Sequence, residues 1–178
     1  IPGWNTSAAA VRSWIPERFL ARFRCGILEW PGLGTASGEP LPSSMDALLD
    51  DLEASLAPRP VAVVGFCLGG IAAWAFAQRH PEAVRCSVLV ESPLHFPAVL
   101  LPLLVPGLGS AVLHTAKGTP LGRCLVRRAI LQRKIPYPAM FMQGLFAFKV
   151  PPALHYLRLF KNYGESLRRA NGPLAGAR

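Results

Sequence analysis

The sequence has no closely spaced pair of cysteines. Its four cysteines stand far apart and form no Cys-x-x-Cys unit: Cys25, Cys67, Cys86 and Cys124. The first residues also lack the basic stretch and apolar run of a secretory signal peptide. These absences argue against a zinc site and a disulfide scaffold, and they fit a reducing compartment. We therefore expect no metal site and a cytoplasmic protein, either free or associated with a membrane. No cofactor is expected either.

Acidic residues are almost missing from the second half of the chain. Residues 1–92 contain seven Arg and nine Asp or Glu, a balance of −2, whereas residues 93–178 contain twelve Lys or Arg and only Glu165, a balance of +11. This excess predicts a surface that attracts phosphates, anionic acyl carriers or an anionic membrane, with a solvated basic face as the alternative. No aromatic-rich RNA-recognition core or zinc finger accompanies the charge, so we expect no nucleic-acid partner.

A long uninterrupted apolar span is missing as well. The stretch Leu94–Leu113 is nearly uncharged, but Pro97, Pro102 and Pro106 interrupt it. A lid or cap segment fits this stretch better than a membrane-spanning helix. The chain of 178 residues, 51% of them hydrophobic, is long enough for one domain with a sizeable core.

A strand, a sharp turn and a helix are predicted between Val61 and Arg79. The β-branched run that begins at Val61 stops at Gly65, and an alanine-rich helical stretch begins after Cys67. Glycines two positions before and after Cys67 remove the Cβ atoms that would collide in so tight a turn. The alternative is that Cys67 is a small apolar residue in a buried connection, since free cysteine is among the most buried residue types.

The segment Gly65-Phe66-Cys67-Leu68-Gly69 resembles the Gly-x-Ser-x-Gly nucleophile elbow of the α/β-hydrolases. Cys67 stands where most members have serine, and in this the segment is similar to the polyhydroxyalkanoate synthases. The resemblance implies an α/β fold with a parallel sheet and a nucleophile displayed between a strand and a helix.

A second loop resembles the same family. Many α/β-hydrolases have Asp-x-Pro-Gly-x-Gly after their fourth strand, and the segment Glu29–Gly34 matches this pattern with Glu29 in place of Asp. The strand before this loop is predicted over Cys25–Trp30, as a short buried apolar run.

The order of the remaining elements favours the α/β class. We expect a helix over Ala8–Phe23 that Pro16 kinks or divides, and an amphipathic helix that begins at Met45. The strand after the elbow helix is predicted over Cys86–Val90. Strands that alternate with helices in this way pair in parallel.

The alternation stops after Ser92. Helices with basic outer faces are predicted over Cys124–Leu131 and Ala153–Leu167. By the resemblance, residues 1–92 form a partial α/β-hydrolase core, and residues 93–178 form a mostly helical, basic cap or lid. The chain looks like the middle of a larger hydrolase, because it starts at the family's oxyanion loop and stops before the strand that bears the family's acid.

Cys67 is the predicted nucleophile. The N-terminus of the helix that follows it is expected to lower the pKa of the thiol and to make Cys67 the most reactive of the four cysteines. Acyl transfer also needs N–H donors directed at the oxyanion. The resemblance implies the backbone N–H groups of Leu68 and Trp4, because Pro2-Gly3-Trp4 occupies the place of the family's His-Gly-x loop.

A cysteine nucleophile of this kind needs a histidine base that an acid orients. The family takes the histidine and the acid from loops after its last strands. No strand is predicted after Ser92 in this chain, so the resemblance assigns neither residue. His95 lies four residues after Glu91, and Glu91 ends its strand at a place where some members have their acid. Cys67, His95 and Glu91 are therefore the candidate catalytic set. The other histidines are expected to have structural, surface or packing roles: His80, His114 and His155.

Two functions fit these patterns. The first is an enzyme of the acyl-transfer class, a hydrolase, acyltransferase or thioesterase that uses Cys67 on a small-molecule ester or thioester. The second is a truncated or degenerate relative without catalysis, which binds an anionic ligand, a lipid surface or a protein through the basic second half. The absence of the family's late Asp and His favours the second function for this stretch of chain.

Overall fold

The computed structural model describes residues 1–4, 6–56, 60–93, 96–132, 146 and 148–171. In chain order the helices and strands of this part are α1 (Ala8–Trp14), α2 (Glu17–Leu20), α3 (Met45–Ala54), β1 (Val61–Phe66), α4 (Gly69–Arg79), β2 (Val84–Val90), α5 (Leu108–Gly118), α6 (Pro120–Gln132) and α7 (Val150–Asn171). Two 3₁₀ helices accompany them, Gly34–Ala36 and Ala98–Leu104.

The sheet is parallel, as the sequence predicts. β1 pairs with β2 in a register that ends with Phe66 opposite Val90. α4 forms the crossover between the two strands, and its small side chains let it lie close against them, with Ala72, Ala73 and Ala75 buried. The α/β fold class is confirmed.

The first residues of the chain lie on the other edge of β1. The N–H group of Ile1 donates to the Val64 carbonyl (2.6 Å), and the Ile1 carbonyl accepts from Phe66 (3.1 Å). Val64 and Phe66 thus bond Ile1. The N–H of Cys67, directly after β1, instead donates to the Val90 carbonyl on the β2 side (2.9 Å). Since alternate residues of a strand bond opposite neighbours, the loop that follows Ile1 begins directly beside the end of β1.

Capping residues explain where the predicted helices begin. The Ser7 hydroxyl accepts from the N–H of Ala10 at the start of α1, and the Ser44 hydroxyl accepts from Ala47 at the start of α3. Pro16 separates α1 from α2, because it cannot donate the hydrogen bond that would continue the first helix. The predicted division of this helix and the predicted α3 are confirmed.

The strand predicted over Cys25–Trp30 is wrong. These residues have no regular structure, and Cys25 and Gly26 are exposed. Trp30 is buried at the end of the segment. A strand needs a neighbour for its backbone hydrogen bonds, and among the described residues the edge of β1 bonds Ile1 instead. The apolar run therefore serves to bring Trp30 into the core.

Trp30 lies at the centre of the core that joins the two halves of the chain. Its ring contacts Tyr156 (5.3 Å between centroids) and Phe160 (5.8 Å) on α7, and the Tyr156 hydroxyl donates to the Pro31 carbonyl (2.8 Å). α3 and α4 pack into the same cluster. α7 is thus part of the core and not only a covering helix.

The segment between β2 and α7 is less well buried. Apolar side chains are exposed along the 3₁₀ helix Ala98–Leu104 and on α5 and α6, among them Val99, Val112, Leu121 and Leu125. No single helix in the described residues is long and apolar enough to cross a membrane. The 3₁₀ helix and α5 meet that test of length and composition only as a pair, bent by 100°.

Candidate active site

Cys67 occupies a strained turn between β1 and α4. Its φ angle is 49°, in the left-handed region that residues other than glycine rarely adopt. The residue is exposed, whereas Leu68 after it is fully buried. A strained residue at the junction of a strand and a helix is the geometry of a nucleophile elbow, in which the side chain is pushed out of the chain's path.

The glycines of the elbow are required by close packing. A Cβ on Gly65 would lie 2.5 Å from the Cα of Gly70 and 2.7 Å from the Cβ of Ala73. A Cβ on Gly69 would overlap the carbonyl oxygen of Pro2. The turn can therefore close only where both flanking side chains are absent.

Two main-chain N–H groups act on the Cys67 thiol and lower its pKa through hydrogen bonding. They belong to Leu68, the next residue, and to Trp4, in the loop that starts beside β1. A Cβ built on Gly3 would lie 3.1 Å from the Cβ of Cys67, which shows how closely this loop approaches the elbow. Donors that converge beside a nucleophile are suited to bind the oxygen of a tetrahedral intermediate.

Trp30 and Glu29 fix the loop that contains Trp4. The indole N–H of Trp30 donates to the Pro2 carbonyl (3.2 Å), and both carboxylate oxygens of Glu29 accept from the N–H of Ala8 at the start of α1 (3.2 Å each). The pKa of Glu29 is raised, and burial of its carboxyl group is the largest cause. Hydrogen bonds from Ala8 and Thr35 lower the pKa but do not cancel the effect of burial. The sequence marks Glu29 only as a replacement for Asp and does not reveal these contacts.

The pKa of Cys67 moves in the opposite direction to the sequence prediction. Desolvation by the surrounding protein raises the pKa of the thiol, and the negative charge of Glu91 raises it further. The N–H groups of Leu68 and Trp4 lower it, but they are outweighed. The expected effect of the helix terminus is therefore overcome, and at neutral pH Cys67 is a protonated thiol that needs a base.

Glu91 ends β2 beside the elbow. Its φ angle is 49°, so it is strained in the same way as Cys67. It is exposed, and its charge acts on the Cys67 thiol. The structure thus brings two of the three predicted catalytic residues together at the carboxyl ends of adjacent parallel strands, where ligand sites of α/β folds are found.

Replacing Glu91 by Gln is expected to lower the pKa of Cys67, because a thiolate no longer forms beside a carboxylate. The measurement is the rate of iodoacetamide alkylation against pH, in a variant whose other three cysteines are serine. Glu17→Gln, on the exposed helix α2, is the control and should leave the profile unchanged. A midpoint that stays fixed or rises in Glu91→Gln would contradict the assignment.

The third predicted residue, His95, lies outside the described residues. The three histidines that are described have other contacts. His80 lies 3.2 Å from the Glu53 carboxylate and stacks on Phe76, and His155 donates to the Pro42 carbonyl (2.7 Å). His114 borders a groove beside α5. Their predicted structural and surface roles agree with these positions.

Two adjoining grooves lie beside the start of α6 and toward the start of α7, with volumes of about 640 Å³ and about 440 Å³. They share Arg123 and Phe146, and together they are called the basic groove here. Four cationic side chains border it: Lys117, Arg123, Arg127 and Lys149. Phe148 lies between this groove and the oxyanion loop, because its ring contacts both Lys117 (4.1 Å to the centroid) and Trp4 (6.2 Å between centroids). In the described part of the chain, no three His, Cys, Asp or Glu side chains are grouped as metal ligands.

The parallel sheet, the crossover helix and the displayed residue at the elbow define a protein of the α/β-hydrolase type. The model of the alpha/beta hydrolase fold family matches residues 1–133. The chain belongs to this family, which confirms the resemblance seen in the sequence. The finer likeness of the Cys67 elbow to polyhydroxyalkanoate synthases stays a prediction.

Curated relatives share part of this chain. The pimeloyl-[acyl-carrier protein] methyl ester esterase of Chromobacterium violaceum is 34% identical over 94 residues, which are 53% of this chain and 36% of that protein. The esterase of the same name from Edwardsiella ictaluri is 31% identical over 112 residues, 63% of this chain and 41% of that protein. The chain therefore spans less than half the length of these relatives.

Proposed function

We propose that this chain contains the nucleophile of an ester hydrolase and that Cys67 attacks the ester carbonyl. The observation that supports this most directly is the elbow: Cys67 has a φ angle of 49° between two glycines that admit no Cβ. The N–H groups of Leu68 and Trp4 that act on its thiol add the donors that acyl transfer requires. The ester chemistry of the relatives, as their name gives it, points to the same reaction class.

The proposed reaction has two steps. In the first, the Cys67 sulfur bonds to the carbonyl carbon, and the negative oxygen that forms accepts hydrogen bonds from Leu68 and Trp4. The carbon–oxygen bond to the leaving group then breaks, and the departing alkoxide takes up the proton lost by the thiol and leaves as an alcohol. In the second step, water attacks the acyl-Cys67 thioester, which releases a carboxylic acid and restores the thiol.

Proton transfer in this reaction is proposed for Glu91 and His95. The raised pKa of Cys67 makes a base necessary near neutral pH. Glu91 is close enough for its charge to act on the thiol, and His95 follows it by four residues in the chain. In this proposal His95 accepts the thiol proton and Glu91 stabilises the imidazolium that results.

The proposed substrate is an acyl ester on an acidic carrier. The relatives are named for the methyl ester of a carrier-bound acyl group. In this chain, the basic groove formed by Lys117, Arg123, Arg127 and Lys149 offers the complementary charge, and Phe148 connects it to Trp4. A negatively charged carrier would be attracted there in a salt-dependent manner.

The test is to trap the acyl group. The 178-residue chain is incubated with p-nitrophenyl butyrate and with a methyl ester on an acyl carrier protein, and the intact mass and the alkylated peptides are measured. We expect one butyryl group on Cys67, and faster reaction of the carrier-bound ester at low salt than at high salt. The free ester, which has no charge, is the internal control and should show little dependence on salt. An adduct on another residue, or none, would contradict the proposal.

A binding module without catalysis is the second candidate, and the apolar side chains exposed on the 3₁₀ helix Ala98–Leu104 and on the basic helix α6 favour it. Val99 is 78% exposed, Leu121 70% and Leu125 58%, and Leu121 and Leu125 share α6 with three arginines. Such a surface suits an anionic membrane as well as a protein. A second arm of this experiment measures binding to anionic vesicles at low and high salt. Salt-dependent binding with no acyl adduct would support this second candidate and a membrane-associated location.

A further inference from the structure

We propose that α7 positions the oxyanion hole through the side chain of Trp4. This inference rests on the proposed ester hydrolysis at Cys67 and adds to it a residue contact that controls the reaction. The main chain of Trp4 lies beside the elbow, whereas its indole ring contacts α7. A shift of α7 would therefore change the direction of the Trp4 N–H group.

The contact between Trp4 and α7 is a partly buried hydrogen bond. The indole N–H donates to the carbonyl of Ala153 over 2.9 Å, and Ala153 is fully buried in the first turns of α7. A helix carbonyl has a second lone pair, so it can accept this bond in addition to its bond within the helix. Ring contact with Phe148, just before α7, fixes the plane of the indole.

The other hydrogen bonds that hold the oxyanion loop are made by its main-chain groups. Ile1 is bonded to β1, and the Pro2 carbonyl accepts from Trp30. The Gly3 carbonyl accepts from the N–H of Thr6 (3.1 Å), which closes a turn around Trp4. The Gly3 carbonyl and the Trp4 N–H belong to one planar peptide, so this turn holds the N–H from the main chain. The indole bond to Ala153 holds the same residue through its side chain, and its loss removes one of these two anchors. Among the described residues, the Trp4 indole N–H donates to the Ala153 carbonyl.

This arrangement makes α7 a positioning element for the chemical step. The Trp4 N–H is required when the negative oxygen of the transition state forms. Loss of the Ala153 bond should therefore weaken binding of the transition state and leave the other contacts of the substrate unchanged. Loss of a single oxyanion donor lowers kcat by about 10²- to 10³-fold in serine hydrolases. A misdirected donor should lower it less, and we expect about a 10-fold or greater fall in kcat with KM changed less than about 3-fold.

The experiment compares two tryptophan substitutions. Trp4→Phe removes the indole N–H while it leaves the main chain and an aromatic ring in place. Trp14→Phe is the matched control, because the Trp14 indole N–H has no hydrogen-bond partner in the described residues, although its ring also packs near the elbow, on Phe66. Both are measured for kcat and KM on p-nitrophenyl butyrate, and both are checked by circular dichroism. Should Trp4→Phe fail to fold, benzothienylalanine at position 4 keeps the ring size without the N–H.

A second readout does not depend on turnover. The Trp4 N–H lowers the pKa of Cys67, while desolvation and Glu91 raise it. If Trp4→Phe misdirects this N–H, the midpoint of Cys67 alkylation must rise, and in Trp14→Phe it must stay at the wild-type pH. Both variants are measured in the background with serine at positions 25, 86 and 124, so that Cys67 is the only thiol.

The outcomes separate this inference from the proposed function. A wild-type chain that shows no Cys67-dependent turnover would contradict the ester hydrolase, and the alkylation midpoint alone would then decide the role of Trp4. A higher midpoint in Trp4→Phe only, with a fall in kcat wherever turnover exists, supports the inference. Equal midpoints in Trp4→Phe and Trp14→Phe, or a fall in activity confined to KM, would overturn it.

Discussion

Replacing Cys67 by Ala is expected to remove ester turnover, with a fall in kcat of about 10³-fold or more, because Cys67 is the nucleophile that the described elbow displays. Ala fits the elbow without new contacts, since it retains the Cβ that already lies there at a φ angle of 49°. The change therefore removes the sulfur alone. The measurement is p-nitrophenyl butyrate hydrolysis under steady-state conditions, with thermal unfolding to show that the fold is unchanged.

The control for this prediction is a variant with serine at the other three cysteines. All four cysteines are exposed residues, so residue exposure alone does not distinguish Cys67. Turnover that survives in Cys67→Ala and disappears in the triple variant would assign the chemistry to a different cysteine. Cys67→Ser is informative as well, because a hydroxyl in place of the thiol depends more strongly on a base, and its activity reports whether one is present.

The elements around the elbow could be predicted because their sequence signals are local. The β-branched run of β1, the alanines of α4 and the serine before α3 each specify a structure over fewer than fifteen residues. The segment Cys25–Trp30 shows the limit of this argument. An apolar run indicates burial but does not show whether a neighbouring strand is available, and here the edge of β1 is bonded to Ile1.

α7 was only partly predictable for a related reason. The predicted helix Ala153–Leu167 begins later than the observed Val150–Asn171, whose first turn contains Pro151 and Pro152, residues that break the interior of a helix. In the first turn of a helix, however, the missing N–H groups of proline cost nothing, since those donors have no partner within the helix. The prolines therefore lie within the start of α7 and not before it.

The candidate site likewise has one part that the local sequence predicts and another part that depends on tertiary structure. The five-residue elbow pattern predicts the turn at Cys67, but the direction of the thiol pKa depends on burial and on Glu91, which come from tertiary structure. The hydrogen bonds of Glu29 to Ala8 and of Trp4 to Ala153 join residues 21 and 149 positions apart. No spacing in a single sequence indicates such contacts, although an acid and a tryptophan within motif-like loops mark where to look.

The second large effect is expected from adding one methyl group at Gly69. Within a helix, Gly→Ala normally stabilises a protein by about 0.5–1 kcal/mol. In Gly69→Ala the new Cβ would overlap the Pro2 carbonyl and lie 2.8 Å from the Ile1 carbonyl, both of which are backbone and cannot rotate away. We expect steric strain to exceed the gain and to destabilise the fold by about 3 kcal/mol or more, a fall in Tm of about 10 °C.

Gly164→Ala provides the matched control for Gly69→Ala. Gly164 is also helical, within α7, and a Cβ built there has no atom within 4 Å. The two variants therefore make the same chemical change to helical glycines and differ in what the methyl group meets. Thermal unfolding followed by circular dichroism should show Gly164→Ala at or slightly above the wild-type Tm and Gly69→Ala well below it. If both variants instead gain stability, the oxyanion loop does not lie against the elbow, and the site described around Cys67 is wrong.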